Sequence, residues 1–133
     1  MDTKLLISVP IPVRWRDLDA LNHVNNASFL TFFEEARLRW FATLSGPWST
    51  ADFSPVLAAV HVNYRRQLGW PCEVVAELRC GRIGRTSLTI AQRLVAADDP
   101  AIVYADGDSV LVWVDGGAGK PVALPEAVLA ACR

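Results

Sequence analysis

The stretch from Ala27 to Leu44 contains neither proline nor glycine, and Phe29, Phe33, Ala36, Trp40 and Leu44 recur along it at spacings of three and four. Such spacing returns side chains to one face of an α-helix, and Leu30, Phe32 and Phe41 widen that face. The pattern predicts a helix of about five turns whose aromatic side must be covered by a broad apolar surface. Gly46-Pro47 ends it. Glu34, Glu35 and Arg39 supply polar positions, with Glu35 and Arg39 spaced for an i,i+4 pair.

The remainder of the chain offers that cover. Val56 to Leu68, Cys72 to Ile83, Thr86 to Ala96 and Ala101 to Asp115 each read as a long strand, the first two with clear apolar alternation. Gly69-Trp70-Pro71, Gly84-Arg85 and Asp98-Asp99-Pro100 read as the turns between them. Lys4 to Trp15 reads as a further strand, in which Pro10 and Pro12 cannot donate ladder bonds and so favour an edge or irregular pairing. Gly107 marks a bulge or a close backbone approach. Residues 48–55 read as a loop that packs down on its aromatics, 116–119 as a glycine-rich turn, and 121–133 as ending in a short helix with Pro125 near its first turn. An antiparallel sheet curved around the long helix satisfies both apolar surfaces, giving an α+β, two-layer architecture. No repeat or linker divides residues 1–133, so one domain is expected.

Composition bears on partners. Hydrophobic residues make up 52% of the chain and charged residues 20%, which suggests apolar surface covered by further copies, as in a homodimer or homotetramer. A formal net charge of -1 provides no field to attract nucleic acid or an anionic membrane. Arg65, Arg66, Arg79, Arg82 and Arg85 nonetheless lie close in sequence; they read either as a local patch for a phosphorylated ligand or as a solvated strand face. Cys72, Cys80 and Cys132 lack CxxC spacing, so neither a disulfide scaffold nor structural zinc is expected. No apolar run is long enough to cross a bilayer and no leader pattern opens the chain, so a cytosolic location is expected.

Polar chemistry gathers at one junction, Arg14-Trp15-Arg16-Asp17-Leu18-Asp19-Ala20-Leu21-Asn22-His23-Val24-Asn25-Asn26, between the first strand and the long helix. Asp19, Asn22, Asn25 and Asn26 there could simply form turns and a helix cap. The alternative is carboxylate chemistry, since the chain has no phosphate-binding loop, dinucleotide fingerprint, nucleophile elbow or H-E-x-x-H pair. With only His23 and His61 present, a metal centre is not expected. Asp19 precedes the helix by about seven residues, close enough to face a carbonyl resting on the free N–H groups of the first turn, where the helix's positive end favours an oxyanion. From there a carboxylate can activate water or attack an acyl carbon. His23 reads either as a ligand-contacting imidazole or as a bridge between loop backbone groups.

The run from Val13 to Arg37, with Asp17-x-Asp19, Asn22-His23-Val24-Asn25-Asn26 and Glu34-x-Ala36-Arg37, resembles the signature of hotdog-fold acyl-CoA thioesterases of the 4-hydroxybenzoyl-CoA thioesterase branch. His61 to Arg66, Ile83 to Ser87 and Gly119 to Glu126 are similar to later parts of the same pattern. The resemblance implies a hotdog fold, a curved antiparallel sheet around one long central helix. It also implies Asp19 as the catalytic carboxylate, with Asp17 structural and the amides around Val24, Asn25 and Asn26 as the oxyanion site. Glu34 and Arg37 would hold the loop or an interface, while His23 with Asn25 or Asn26 would shape the loop and orient water. Arg65, Arg66, Arg85, Thr86 and Ser87 match the positions that meet coenzyme A.

The expected function is therefore hydrolysis of an acyl-CoA thioester to a carboxylic acid and free coenzyme A, which is part of the substrate, with no separate cofactor. Two rivals are an acyl carrier protein thioesterase of the same fold and a non-catalytic acyl-CoA-binding protein. Where many relatives carry glycine before the histidine, this chain has Asn22, which shares the tolerance of positive φ yet adds a side chain beside the expected thioester. Trp48, Phe53 and Trp70 could line an acyl pocket or belong to the core.

Overall fold

The computed structural model describes residues 3–133. Strand β1 (Leu5–Pro12) leads through a polar loop to helix α1 (Asn26–Ala42), followed by β2 (Phe53–Tyr64), β3 (Glu73–Ile83), β4 (Ser87–Ala96), β5 (Val103–Asp115) and the short helix α2 (Glu126–Cys132). The five strands form one antiparallel sheet in the order β1-β3-β4-β5-β2. The prolines of β1 accordingly sit on an edge strand.

Period-two alternation aims Val74, Ala76, Leu78 and Cys80 of β3, Leu88, Ile90 and Leu94 of β4, and Leu111 and Trp113 of β5 into the core. Phe29, Phe33, Ala36 and Trp40 of α1 are buried with them, as the three-and-four spacing requires. Each large side chain so buried contributes roughly 1.5–3 kcal/mol. This is the hotdog arrangement. The loop after α1 packs down as expected: Trp48 stacks on Phe41 with centroids 4.4 Å apart, and the Trp113 indole donates to the Trp48 carbonyl at 2.8 Å. Glu35 and Arg39 pair at 3.0 Å.

Several boundaries differ from expectation for local reasons. The first strand ends at Pro12, and Trp15–Asp17 forms a 3-10 turn, because the Asp17 carboxylate accepts the Arg14 N–H at 2.8 Å and closes the chain there. Trp15 is left 70% exposed. Strand β2 starts at Phe53, since Pro55 is tolerated on an edge. It stops at Tyr64, where the N–H groups of Arg65 and Arg66 both turn to the Tyr104 carbonyl. Gly107 stays in register opposite Val62, so it marks close approach and not a bulge. At its φ of 151° a Cβ would collide with the His61 carbonyl oxygen.

The sheet face away from α1 is more polar than the composition suggested. Glu77, Arg93, Asp106 and Asn63 follow one another across its strands, joined by an Arg93–Glu77 ion pair and an Asn63 amide donating to Asp106 at 3.0 Å. Uncovered apolar side chains instead lie along edge strand β2, at Val56, Leu57, Val60 and Tyr64.

Candidate active site

The loop between β1 and α1 is held by its own backbone. Val13 donates to the Cys72 carbonyl at 2.9 Å, Val24 to that of Leu68 at 2.8 Å and Asn25 to that of Asp17 at 2.8 Å. Leu18 and Val24 bridge antiparallel, and between them Asp19 donates its N–H to the His23 carbonyl at 2.9 Å while accepting the Asn22 N–H at 3.0 Å. The turn closes because Asn22 adopts a φ of 63°, a conformation asparagine tolerates better than most side chains. The amide thus replaces glycine without losing the turn. Asn22 is exposed and lies outside the cleft beside it.

Asp17 is the loop's buried anchor, 3% exposed. Its two oxygens accept from the Arg14 backbone at 2.8 Å and from the guanidinium at 2.9 and 3.3 Å. Burial by itself would raise this carboxyl's pKa. The Arg14 hydrogen bonds and charge outweigh burial and hold it below the usual carboxylate range, while Asp17 in turn raises Arg14. Both oxygens of this carboxylate are thereby engaged by Arg14 within the loop.

Asp19 is exposed, and one of its oxygens accepts the Leu21 N–H at 2.8 Å. Its other oxygen has no hydrogen-bond partner among the described residues. Asp19 lines a cleft of about 300 Å³ together with His23, Asn26, Tyr64, Arg65 and Arg66. Leu21 and Phe29 add apolar wall. The His23 imidazole has no hydrogen-bond partner among the described residues; the loop bond of this residue runs through its backbone carbonyl. The imidazole bridges no loop backbone groups among the described residues, and His23 lines the cleft.

At the helix start the expectation needs correction. Val24, buried, and Asn25 have already committed their N–H groups to Leu68 and Asp17, so neither can meet an oxyanion. Asn25 serves as the N-cap, its side-chain oxygen accepting the Ala27 N–H at 2.8 Å. The Asn26 N–H has no partner among the described residues and belongs to a residue that lines the cleft. It stands at the positive end of a 17-residue helix.

The remaining candidates do not all converge. Arg65 and Arg66 flank the cleft, Arg65 pairing with Asp106 at 3.1 Å and Arg66 without an ion pair among the described residues. Arg85, Thr86 and Ser87 sit at the β3–β4 turn. Tyr64 is level with Ala105 of β5 and Ser87 with Val112, which puts roughly 23 Å of strand between the two groups. Within one chain they form no common site.

Glu34 and Arg37 are also remote from the loop. Arg37 lies eleven residues along the helix from Asn26, about 16 Å. Both border a recess against Leu57 and Val60 of β2. Burial lowers the Arg37 pKa, partly countered by the Glu34 charge. Its guanidinium donates to the Ser109 hydroxyl at 3.2 Å, which donates to the Gln92 side-chain amide oxygen at 2.8 Å. Neither side chain hydrogen-bonds to the loop between β1 and α1 among the described residues; both border the β2 edge.

Tyr64, Gln67, Leu68 and Phe29 also line the cleft; the sequence pattern alone does not mark them as site residues. The signal for Tyr64 was available in the Arg65-Arg66 pair, which breaks the alternation and ends the strand on a residue with a hydroxyl to satisfy. Among the described residues no three His, Cys, Asp or Glu side chains converge as a metal site, and no helix is long and apolar enough to cross a membrane.

Comparison with known proteins places this architecture. Residues 13–132 match the family model described as the thioesterase-like superfamily. The PA2801 protein of Pseudomonas aeruginosa superposes with a TM-score of 0.91 at 37% identity, over 98% of this chain and 100% of its own. A Thermus thermophilus thioesterase, solved with coenzyme A and zinc, gives 0.80 at 37% identity over 99% of both chains. The long-chain acyl-CoA thioesterase FadM of Escherichia coli K12 is 43% identical over 58 residues, 42% of this chain and 44% of FadM. The chain aligns over about half the length of the curated relatives it matches, 54% and 44%. With the model match running from Val13, just after β1, through the Asp17–Asp19 loop to the closing helix, this chain belongs to the thioesterase-like superfamily.

Proposed function

We propose that this chain hydrolyses acyl-CoA thioesters to a carboxylic acid and free coenzyme A. The observation that carries the reading is that Asp19 and Asn26, whose backbone N–H is unengaged among the described residues, line one cleft together with Arg65 and Arg66. The thioester carbonyl oxygen rests on the Asn26 N–H, which strengthens its hold as charge develops on that oxygen. Asp19 takes a proton from water as the water attacks the carbonyl carbon, or attacks that carbon itself to form an anhydride that water then opens. The C–S bond breaks and the coenzyme leaves as a thiolate that takes up a proton. His23 contacts the acyl or thioester portion and orients water. The coenzyme is part of the substrate, and no separate cofactor enters this scheme.

The working unit in this reading is a homodimer or a tetramer built from it, joined along the β2 edges. A two-fold axis that pairs two β2 strands antiparallel reverses one sheet relative to the other. The β3–β4 turn of the second copy then reaches the end of the joint sheet that carries Arg65 and Arg66 of the first. Such an assembly reunites Arg85, Thr86 and Ser87 with the cleft, as contributions across the interface to the coenzyme's phosphates. Similarity to a thioesterase solved with coenzyme A supports this placement of the ligand class.

Asp19→Asn tests the chemistry. Its fold and melting should match the wild type, while thiol release from a panel of short, medium, long and aromatic acyl-CoAs falls by a factor of about 10²–10⁴. Undiminished hydrolysis in that variant sinks the assignment of Asp19. Binding without turnover by the wild type points to the acyl-CoA-binding rival, and faster release from matched carrier-protein thioesters to the other.

A further inference from the structure

We infer that Tyr64 is a positioning residue for the oxyanion amide, and this rests on the thioesterase reading of the cleft. The Tyr64 hydroxyl donates to the Asn26 carbonyl at 3.0 Å. Its ring meets Phe29 edge-on, with centroids 5.2 Å apart and planes at 89°. Phe29 is buried. The first turn of α1 is thereby fastened to the end of β2 through both a polar and an apolar contact.

What makes this attachment specific is where it falls. The free Asn26 N–H belongs to the peptide between Asn25 and Asn26. On one side of that peptide the Asn25 N–H is bound to the Asp17 carbonyl; on the other the Asn26 carbonyl is bound by Tyr64. The uncommitted Asn26 N–H lies between two tethered groups. The strand end that carries Tyr64 is itself fixed, because the N–H groups of Arg65 and Arg66 share the Tyr104 carbonyl at 2.8 and 3.2 Å. A donor aimed at a developing oxyanion acts only over a narrow range of distance and direction, and misplacement by about 1 Å costs on the order of 10²-fold in rate. Tyr64 does not touch the reacting atoms in this arrangement; it limits the excursions of the group that does.

The test is Tyr64→Phe, which keeps the ring on Phe29 and removes only the hydroxyl. Expected are a fall in kcat of about tenfold, KM within about twofold, and a melting curve that overlays the wild type. A trifluoromethyl-ketone analogue of the acyl-CoA, whose hydrated carbonyl mimics the tetrahedral oxyanion, should bind more weakly by about the same factor as kcat, while a thioether analogue binds equally to both proteins. Tyr64→Leu, which also removes the ring, should fall further in kcat.

Unchanged kcat and unchanged binding of the ketone in Tyr64→Phe overturn the inference, as does a rate loss that simply follows lost stability. If the wild type releases no thiol from any acyl-CoA, the thioesterase reading fails and takes this inference with it. An active wild type with an indifferent Tyr64→Phe removes the inference alone.

Discussion

The backbone carbonyl of Asp17 accepts the Asn25 N–H at 2.8 Å, so the first aspartate of the loop is bound directly to the residue that caps α1. The Asp17 side chain meanwhile grips Arg14. One residue therefore sets both the entry of the loop and its exit into the helix, and Asp19 is carried between these two fixed points.

Removing the Asp17 charge should loosen that frame. Asp17→Asn keeps the shape but weakens the charge-assisted bonds to Arg14, at a cost of about 2 kcal/mol. The sign of the pH dependence follows from the lowered pKa of Asp17. Stabilisation from a depressed carboxyl is complete above its unfolded value, about pH 4, and is lost as pH falls through the folded value. Thermal melting of wild type and variant should differ at pH 7, and the gap should close progressively as pH falls below about 4. A constant gap across that range would show that the pair contributes packing and not charge.

Asn22 separates backbone need from substrate contact. Its φ of 63° and its place outside the cleft predict that Asn22→Gly changes stability by less than about 1 kcal/mol and leaves the order of acyl preferences unaltered. Asn22→Val, β-branched at a left-handed position, should cost about 1–2 kcal/mol or more. Urea melts and the same acyl-CoA panel check both. A reordered panel in Asn22→Gly would show that the amide reaches the substrate after all.

The sequence made the two layers legible because both patterns are strictly periodic. The three-and-four recurrence of Phe29, Phe33, Ala36 and Trp40 has one helical solution, and the alternation of Val74, Ala76, Leu78 and Cys80 has one strand solution. Within the site, the loop turn was legible through Asn22 and the cap through Asn25, since their residue types match backbone needs. Which amide remains free was not legible. That depends on the Leu68 and Asp17 carbonyls reaching Val24 and Asn25 first, and nothing in a one-dimensional pattern states how carbonyls are shared. The separation of Arg65-Arg66 from Arg85-Thr86-Ser87 was hidden for a related reason: basic residues near one another in sequence are sent to opposite ends of a sheet by long antiparallel strands.

Edge strand β2 supplies the last prediction. Its twelve residues pair only with β5 and leave Val56, Leu57 and Val60 more than 40% exposed. A long edge with apolar side chains is a template for another strand unless something covers it. In the two-fold assembly proposed for this chain, Val60 lies beside the joint, near Leu30 and the Glu34–Arg37 recess. Val60→Glu would set a new charge against the copy across the axis and beside Glu34, so association should fail while the fold survives. Wild type should sediment at a multiple of 14.6 kDa with a melting temperature that rises with protein concentration. Val60→Glu should sediment at 14.6 kDa, and it should bind coenzyme A at least about tenfold more weakly, because its cleft keeps Arg65 and Arg66 but loses the neighbour's turn. A monomeric wild type, or a monomeric variant with undiminished coenzyme binding, would remove the shared-site arrangement and confine the ligand to the single-chain cleft.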